Sequence, residues 1–151
     1  MIIGIDHVGL AVGDASAASG VFAGLVGHPA GGVEALDEQL VRVCFLPIGD
    51  VALEILESMD AESPLARFLT RRGEGLHHVC FAVDDIHAEM RRLVGAGFQL
   101  IDTAPRRGHS GLIAFVHPKS AHGVLVELLQ RDTSASAAAS GSSSGAAGEH
   151  G

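Results

Sequence analysis

"IDHVGLAV" (residues 5–12) and "LHHVCFAV" (residues 76–83) are one strand phrase written twice, and their alignment decides the fold. It sets His7 on His78, a shift of 71, and Asp6 on His77. Both copies alternate apolar and other residues as a half-buried strand does. Neighbouring strand residues point to opposite faces, so at most one of His77 and His78 can face a shared interior. The repeat selects His78 for that interior and turns His77 away, hydrogen-bonded at the outer surface of the sheet.

Reading outward, the similarity continues for the length of each half, which is the signature of an internal duplication. Each "HV" strand leads into an acidic helix start and a glycine-terminated helix, "GDASAASGVFAGLVG" (13–27) and "DDIHAEMRRLVGAG" (84–97). In the second helix Asp84 and Asp85 suit the positive end of the macrodipole, and Ile86, Met90, Leu93 and Val94 share one face. Two further strand-like runs follow in each half: "LVRVCFLPIG" with "VALEILE", and "GLIAFVHPK" with "GVLVELLQ". A short strand is expected just after each helix, near 30–36 and 98–103. Between the halves, "SPLARFLTRRG" (63–73) reads as a linker helix with Ser63 as N-cap, Pro64 in the first turn and Gly73 as its stop.

The fold class that results is α+β: two βαβββ modules, about 3–60 and 75–131, pair across a pseudo-twofold axis. They form a curved, barrel-like mixed sheet around a metal-binding cleft, one domain spanning 1–131. Residues 132–151, rich in Ala, Ser and Gly without apolar period, read as a disordered appendage.

Bulk properties remove several function classes. The formal net charge of −8 argues against sequence-independent contact with nucleic acid or an anionic membrane surface. No apolar run approaches the length of a membrane span, and no secretory leader opens the chain. Cys44 and Cys80, both in apolar strand-like runs, read as reduced core residues, and the expected compartment is the cytoplasm.

The chemistry sits in the duplicated positions. Glu54 in "VALEILE" and Glu127 in "GVLVELL" interrupt otherwise apolar strands, and a buried carboxylate without a partner is expensive. A lone inward histidine is more often a hydrogen-bonded core residue than a ligand. The same anomaly at matching places in two repeats instead points to a set of two nitrogens and two oxygens from His7, Glu54, His78 and Glu127. Imidazole with carboxylate suits a borderline divalent ion such as Co²⁺, Mn²⁺, Ni²⁺ or Zn²⁺. On an octahedral ion, four protein ligands leave two positions open for substrate or water.

"IDHVGLAV", "SPLARFLTRRGEGLHHVCFAVDDI" and "PRRGHSGLIAFVHPKSAHGVLVELLQ" together resemble the methylmalonyl-CoA epimerase family of the vicinal-oxygen-chelate superfamily, over about residues 3–131. The resemblance implies a homodimer, an acyl-CoA substrate, and a divalent metal at His7, Glu54, His78 and Glu127. In several members the second ligand is Gln. It implies proton removal and return at C2, interconverting the two epimers of methylmalonyl-CoA. Members with a "QGV" segment carry a carboxylate on the following strand as one acid–base group. Here "QLVRVCFL" puts Val43 at that place, so Glu54 and Glu127 are the expected proton carriers. Lys119, Arg106 and Arg107 are the expected cations for coenzyme A phosphates, with Arg71 and Arg72 at the end of the linker helix more simply explained by its dipole. Ser110 and its neighbouring backbone could grip the substrate carboxylate. His109, His117 and His122 have no repeat partner and read as loop residues, His117 first among them.

Three other readings share the fold. Glyoxalase I could use the same four ligands on a glutathione hemithioacetal. A ring-cleaving dioxygenase commonly adds a further His or Tyr near its iron, and this chain has no Tyr. A drug-sequestering protein keeps the paired modules but loses the metal set and lines its groove with aromatics.

Overall fold

The structure, a computed structural model, describes residues 1–133. The first half contributes β1 (Ile2–Ala11), α1 (Ala15–Val26), β2 (Glu34–Leu36), β3 (Val41–Ile48) and β4 (Val51–Ser58). After α2 (Pro64–Arg72) the second half contributes β5 (Gly75–Val83), α3 (Ile86–Gly95), β6 (Arg106–Arg107), β7 (Gly111–Val116) and β8 (Val126–Arg131). All eight strands join one mixed sheet in the order β2-β3-β4-β1-β5-β8-β7-β6. The α+β, two-module expectation holds.

Each half would by itself leave the long edge of β1 or β5 unpaired, a row of unsatisfied backbone groups. Antiparallel pairing of β1 with β5 closes both edges at once and makes the seam of the molecule. On either side of it the neighbours are parallel, β4 beside β1 and β8 beside β5. That order is the pseudo-twofold seen from the backbone.

Three helices cover one face of the sheet. Asp14 caps α1 through Ala17 N–H, and Gly27 ends it at φ 79°, a left-handed conformation that glycine adopts at least cost. The last strand of each half caps its own helix from the side: Glu57 accepts from Ala15 N–H at 2.9 Å, and Gln130 from Ile86 N–H at 2.8 Å. Ile55 and Cys44 pack under α1 with Ala15 and Leu10, while Val83, Ala114, Val116 and Leu128 pack under α3. Burying each large aliphatic side chain of this kind contributes about 1.5–3 kcal/mol. The opposite, open face is left for the site.

Four expectations need correction. The short strand after α3 lies at Arg106–Arg107 and not near 98–103, where a single bridge, Leu100 with Val116, is formed. The carboxylate of Asp102 takes the Phe115 N–H at 2.8 Å and thereby stops the ladder from growing. Val94 is 59% exposed, and its place in the buried face of α3 goes to Glu89, whose charge is held by Arg92. Asp132 belongs to the folded part, since its N–H reaches Ser110 O and its carboxylate pairs with Arg107. His77 is not at an open outer surface: its ring lies edge-on to Phe68 of α2 at 4.8 Å. The remainder of the expected appendage, 134–151, lies outside the described residues. Among the described residues no helix is long and apolar enough to cross a membrane.

Candidate metal centre

Two rows of directly opposed residues cross the seam on the open face. One runs Phe45, Glu54, Gly9, His78 over β3, β4, β1 and β5. The other runs Phe115, Glu127, Cys80, His7 over β7, β8, β5 and β1. The rows are related by the pseudo-twofold, which is why each half delivers one imidazole and one carboxylate to a common point.

The four groups meet closely. His7 Nε2 and His78 Nε2 are 3.0 Å apart. Glu54 Oε2 lies 3.1 Å from His7 Nε2 and 3.3 Å from His78 Nε2, and Glu127 Oε2 lies 3.5 and 3.0 Å from the same atoms. Donors bound at about 2.1 Å and at right angles on one ion stand about 3.0 Å apart, so these spacings fit a shared divalent cation. The donor chemistry fits too, because both imidazoles aim Nε2 inward while their Nδ1 atoms are engaged elsewhere.

Those outer contacts differ between the halves. His7 Nδ1 donates to Asp6 Oδ1 at 2.8 Å, and Asp6 is gripped by Arg131, whose Nε and Nη2 donate at 2.6 and 2.9 Å. His78 Nδ1 stands 2.9 Å from His77 Nδ1. A carboxylate thus makes one ligand more basic, while its counterpart leans on a second imidazole. Asp6→Asn is expected to weaken divalent metal binding roughly 10- to 100-fold, measured by competition with a chromophoric chelator. An unchanged affinity would leave Asp6 a purely structural partner of Arg131.

Without a cation the cluster balances its own charge. Burial alone would raise the Glu54 carboxyl, but hydrogen bonds from His7 and His78 overturn this and hold it down at about 2. Glu127 is lowered by the same two rings against the same burial. Burial works against protonated His7 and His78, yet the surrounding acceptors, Asp6 foremost for His7 and Glu127 for His78, raise both. His77 is pushed down to about 4 by burial and then by positive His78, so it stays neutral. Burial lifts Cys80 to about 12, which keeps it a thiol.

Gly9 is the residue that sequence reasoning passed over. A Cβ built there would lie 2.2 Å from His78 Cε1 and 2.3 Å from Nδ1, so the ring occupies the space a side chain would need. Gly9→Ala is expected to swing His78 off the cluster, weakening metal binding at least tenfold and costing about 1–3 kcal/mol of stability through overpacking. Metal titration and thermal melting of the variant check both, and a normal affinity would show that the ring can relax in place.

The other expected residues lie in the β6–β7 hairpin, in the turn after β7 and at the end of α2. Arg106 donates from Nε to Asp102 at 3.0 Å and sets its guanidinium 5.2 Å above the Phe115 ring. Arg107 is paired with Asp132, while Lys119 lies in the turn after β7 and keeps no carboxylate partner among the described residues. Ser110 is half-buried in the β6–β7 hairpin. His117 caps that turn, its Nδ1 accepting from Lys119 N–H at 3.1 Å. Arg72 folds over Phe68 at the end of α2, on the helix face.

Comparison with known proteins places this architecture. A model described as "Glyoxalase/Bleomycin resistance protein/Dioxygenase superfamily" matches residues 6–116, and the chain belongs to that superfamily. Within it the chain falls among methylmalonyl-CoA epimerases, which are isomerases. It is 35% identical over 133 residues to the ethylmalonyl-CoA/methylmalonyl-CoA epimerase of Cereibacter sphaeroides, covering 86% of this chain and 99% of that one. It is 38% identical over 127 residues to an uncharacterized protein, YqjC, of Bacillus subtilis, covering 83% and 91%. A Streptomyces coelicolor methylmalonyl-CoA epimerase variant, solved in complex with 2-nitronate-propionyl-CoA, superposes with a TM-score of 0.82 at 33% identity, covering 88% of this chain and 97% of that one.

Proposed function

We propose that the chain interconverts (R)- and (S)-methylmalonyl-CoA by moving a proton at C2. The observation that carries this reading is the convergence of His7, Glu54, His78 and Glu127, two groups from each half, on one point of the sheet. The relatives and their acyl-CoA complex support the substrate class.

In this reading His7, Glu54, His78 and Glu127 hold a divalent ion, Co²⁺ or Mn²⁺ first and Ni²⁺ or Zn²⁺ next, with the acyl-CoA as small-molecule partner. When bound, that ion supplies Lewis-acid stabilisation of the negative charge that grows as C2 loses its proton, a contribution of several kcal/mol. The remaining work belongs to the protein. Glu127 presents Oε2 to the two imidazoles, which leaves Oε1 on the same carboxylate to take the C2 proton. Against its burial, hydrogen bonds from the two rings hold its carboxyl below the ordinary range, so it stands ionised. Phe45 and Phe115, each opposite one glutamate, wall the cleft and keep water from the reacting carbon. Of the three expected cations, Lys119 is the one left for coenzyme A phosphates, since Arg106 and Arg107 already have carboxylate partners. A cytoplasmic homodimer completes the proposal.

The test is solvent deuterium incorporation into methylmalonyl-CoA by metal-loaded protein, with and without a chelator, beside a glyoxalase assay on the same sample. Deuterium at C2 that vanishes on chelation and returns on reloading supports the epimerase. Turnover of a glutathione hemithioacetal with no exchange at C2 would replace it with a lyase.

A further inference from the structure

We infer that His109 is the second proton-transfer residue, acting on the face of C2 opposite Glu127. The inference rests on the epimerase reading, because only a reaction at one carbon with inversion needs two such groups on two sides.

The case begins with Val43. It is fully buried and apolar on β3, so this wall offers no proton carrier at that position. Phe45, two residues along the same strand, faces the same side and lines the cleft beside His7, edge-on at 6.3 Å. The His109 ring lies offset from that phenyl and nearly parallel to it, with centroids 6.2 Å apart and planes inclined by 15°. A residue of the second half therefore reaches across the mouth to the wall of the first half that lacks its base.

The hairpin that carries it is built for this reach. Arg106 at one end stacks over Phe115, the pseudo-twofold mate of Phe45, so one short loop straddles the cleft from wall to wall. Gly108 N–H donates to Gly111 O at 2.8 Å and closes the turn. A Cβ at Gly111 would fall 2.0 Å from Gln130 O, so the loop is seated directly on β8, the strand of Glu127.

Elimination points the same way. Asp6 and His77 contact the outer nitrogens of the two ligand histidines and are consumed there. Cys80 stands directly opposite His7 across the β1–β5 seam and is fully buried. Arg106 has no lone pair to accept a proton. His117 is fixed in the turn after β7, where its Nδ1 accepts from Lys119 N–H.

The step balances as a relay through one planar intermediate. The C2–H bond of one epimer breaks, its proton bonds to the Glu127 carboxylate, and its electron pair moves into the thioester carbonyl. The N–H bond of His109 imidazolium then breaks as a new C2–H bond forms on the other face, and solvent restores both groups. For the other epimer the two residues exchange roles.

The experiment measures, in deuterated water and for each epimer separately, loss of the C2 proton and interconversion, in wild-type and His109→Gln protein of equal metal content. Interconversion by the variant is expected to fall about 10²- to 10⁴-fold, while one epimer, the substrate of Glu127, continues to exchange within about tenfold of wild type. Added imidazole is expected to restore interconversion to His109→Ala. Interconversion within threefold of wild type in both variants would overturn the inference and leave the epimerase standing. So would equal loss of exchange from both epimers with no rescue, since His109 would then only shape the cleft. A wild-type enzyme that exchanges neither epimer removes the epimerase reading, and this inference with it.

Discussion

Glu127→Gln is expected to lower exchange of the C2 proton by about 10³-fold or more, while Glu54→Gln keeps at least a tenth of it. The two carboxylates are mates under the pseudo-twofold and sit at similar distances from the same imidazoles. An amide oxygen can still offer a lone pair to a cation, but it cannot take a proton, so the substitution separates holding from proton transfer. General acid–base catalysis contributes 10²- to 10⁴-fold, and loss of an anionic ligand adds to it at Glu127. Metal content has to be measured in both variants, because a drop that follows occupancy reports binding alone. Equal losses at full occupancy would make Glu54 the second proton carrier and would displace His109 from that role.

Loading with a divalent ion at about a thousandfold over its Kd is expected to add about 4 kcal/mol of stability, and to raise the melting temperature by roughly 10 °C. The pH dependence has a definite sign. His7 and His78 are raised in the folded, ion-free protein, so their pairing with the carboxylates is fully present below the ordinary histidine range and is lost as pH rises through the raised values. Glu54 and Glu127 are lowered, so their share is present above the ordinary carboxylate range and is lost as pH falls toward about 2 for Glu54. A cation must displace the imidazole protons, so apparent affinity rises with pH, about tenfold per unit for each proton released. Calorimetry in buffers of different ionisation enthalpy counts those protons, and melting curves from pH 5 to 8 follow the widening gap. A gap that narrows with rising pH would mean that the histidines are not the groups the ion displaces.

The duplicated framework was legible because a period of 71 residues survives in the strand phrases and in the helix starts. Glu54 and Glu127 stood out because strands rarely bury charge, and the sheet register sets both on the open face. The contacts that orient the rings were not legible. Asp6 meets Arg131 across 125 residues, and no local pattern announces a partner that distant. Gly9 resembles any strand glycine until His78 is seen lying over it. The second short strand was misplaced because Asp102, an exposed-looking polar residue in sequence, turns inward and ends the ladder. His109 lacked a repeat mate, and a search built on symmetry ranks such residues last. Its place depends on a phenyl from the other half, visible once the halves are folded together.

Gly9 and Cys80 occupy the same position in the two copies, yet only Gly9 lies beneath an imidazole. A gene rebuilt from two second halves would put Cys where the His78 ring must rest. Recombination between the copies would therefore be purged, which gives the two stretches a reason to drift apart in sequence while their backbones stay alike.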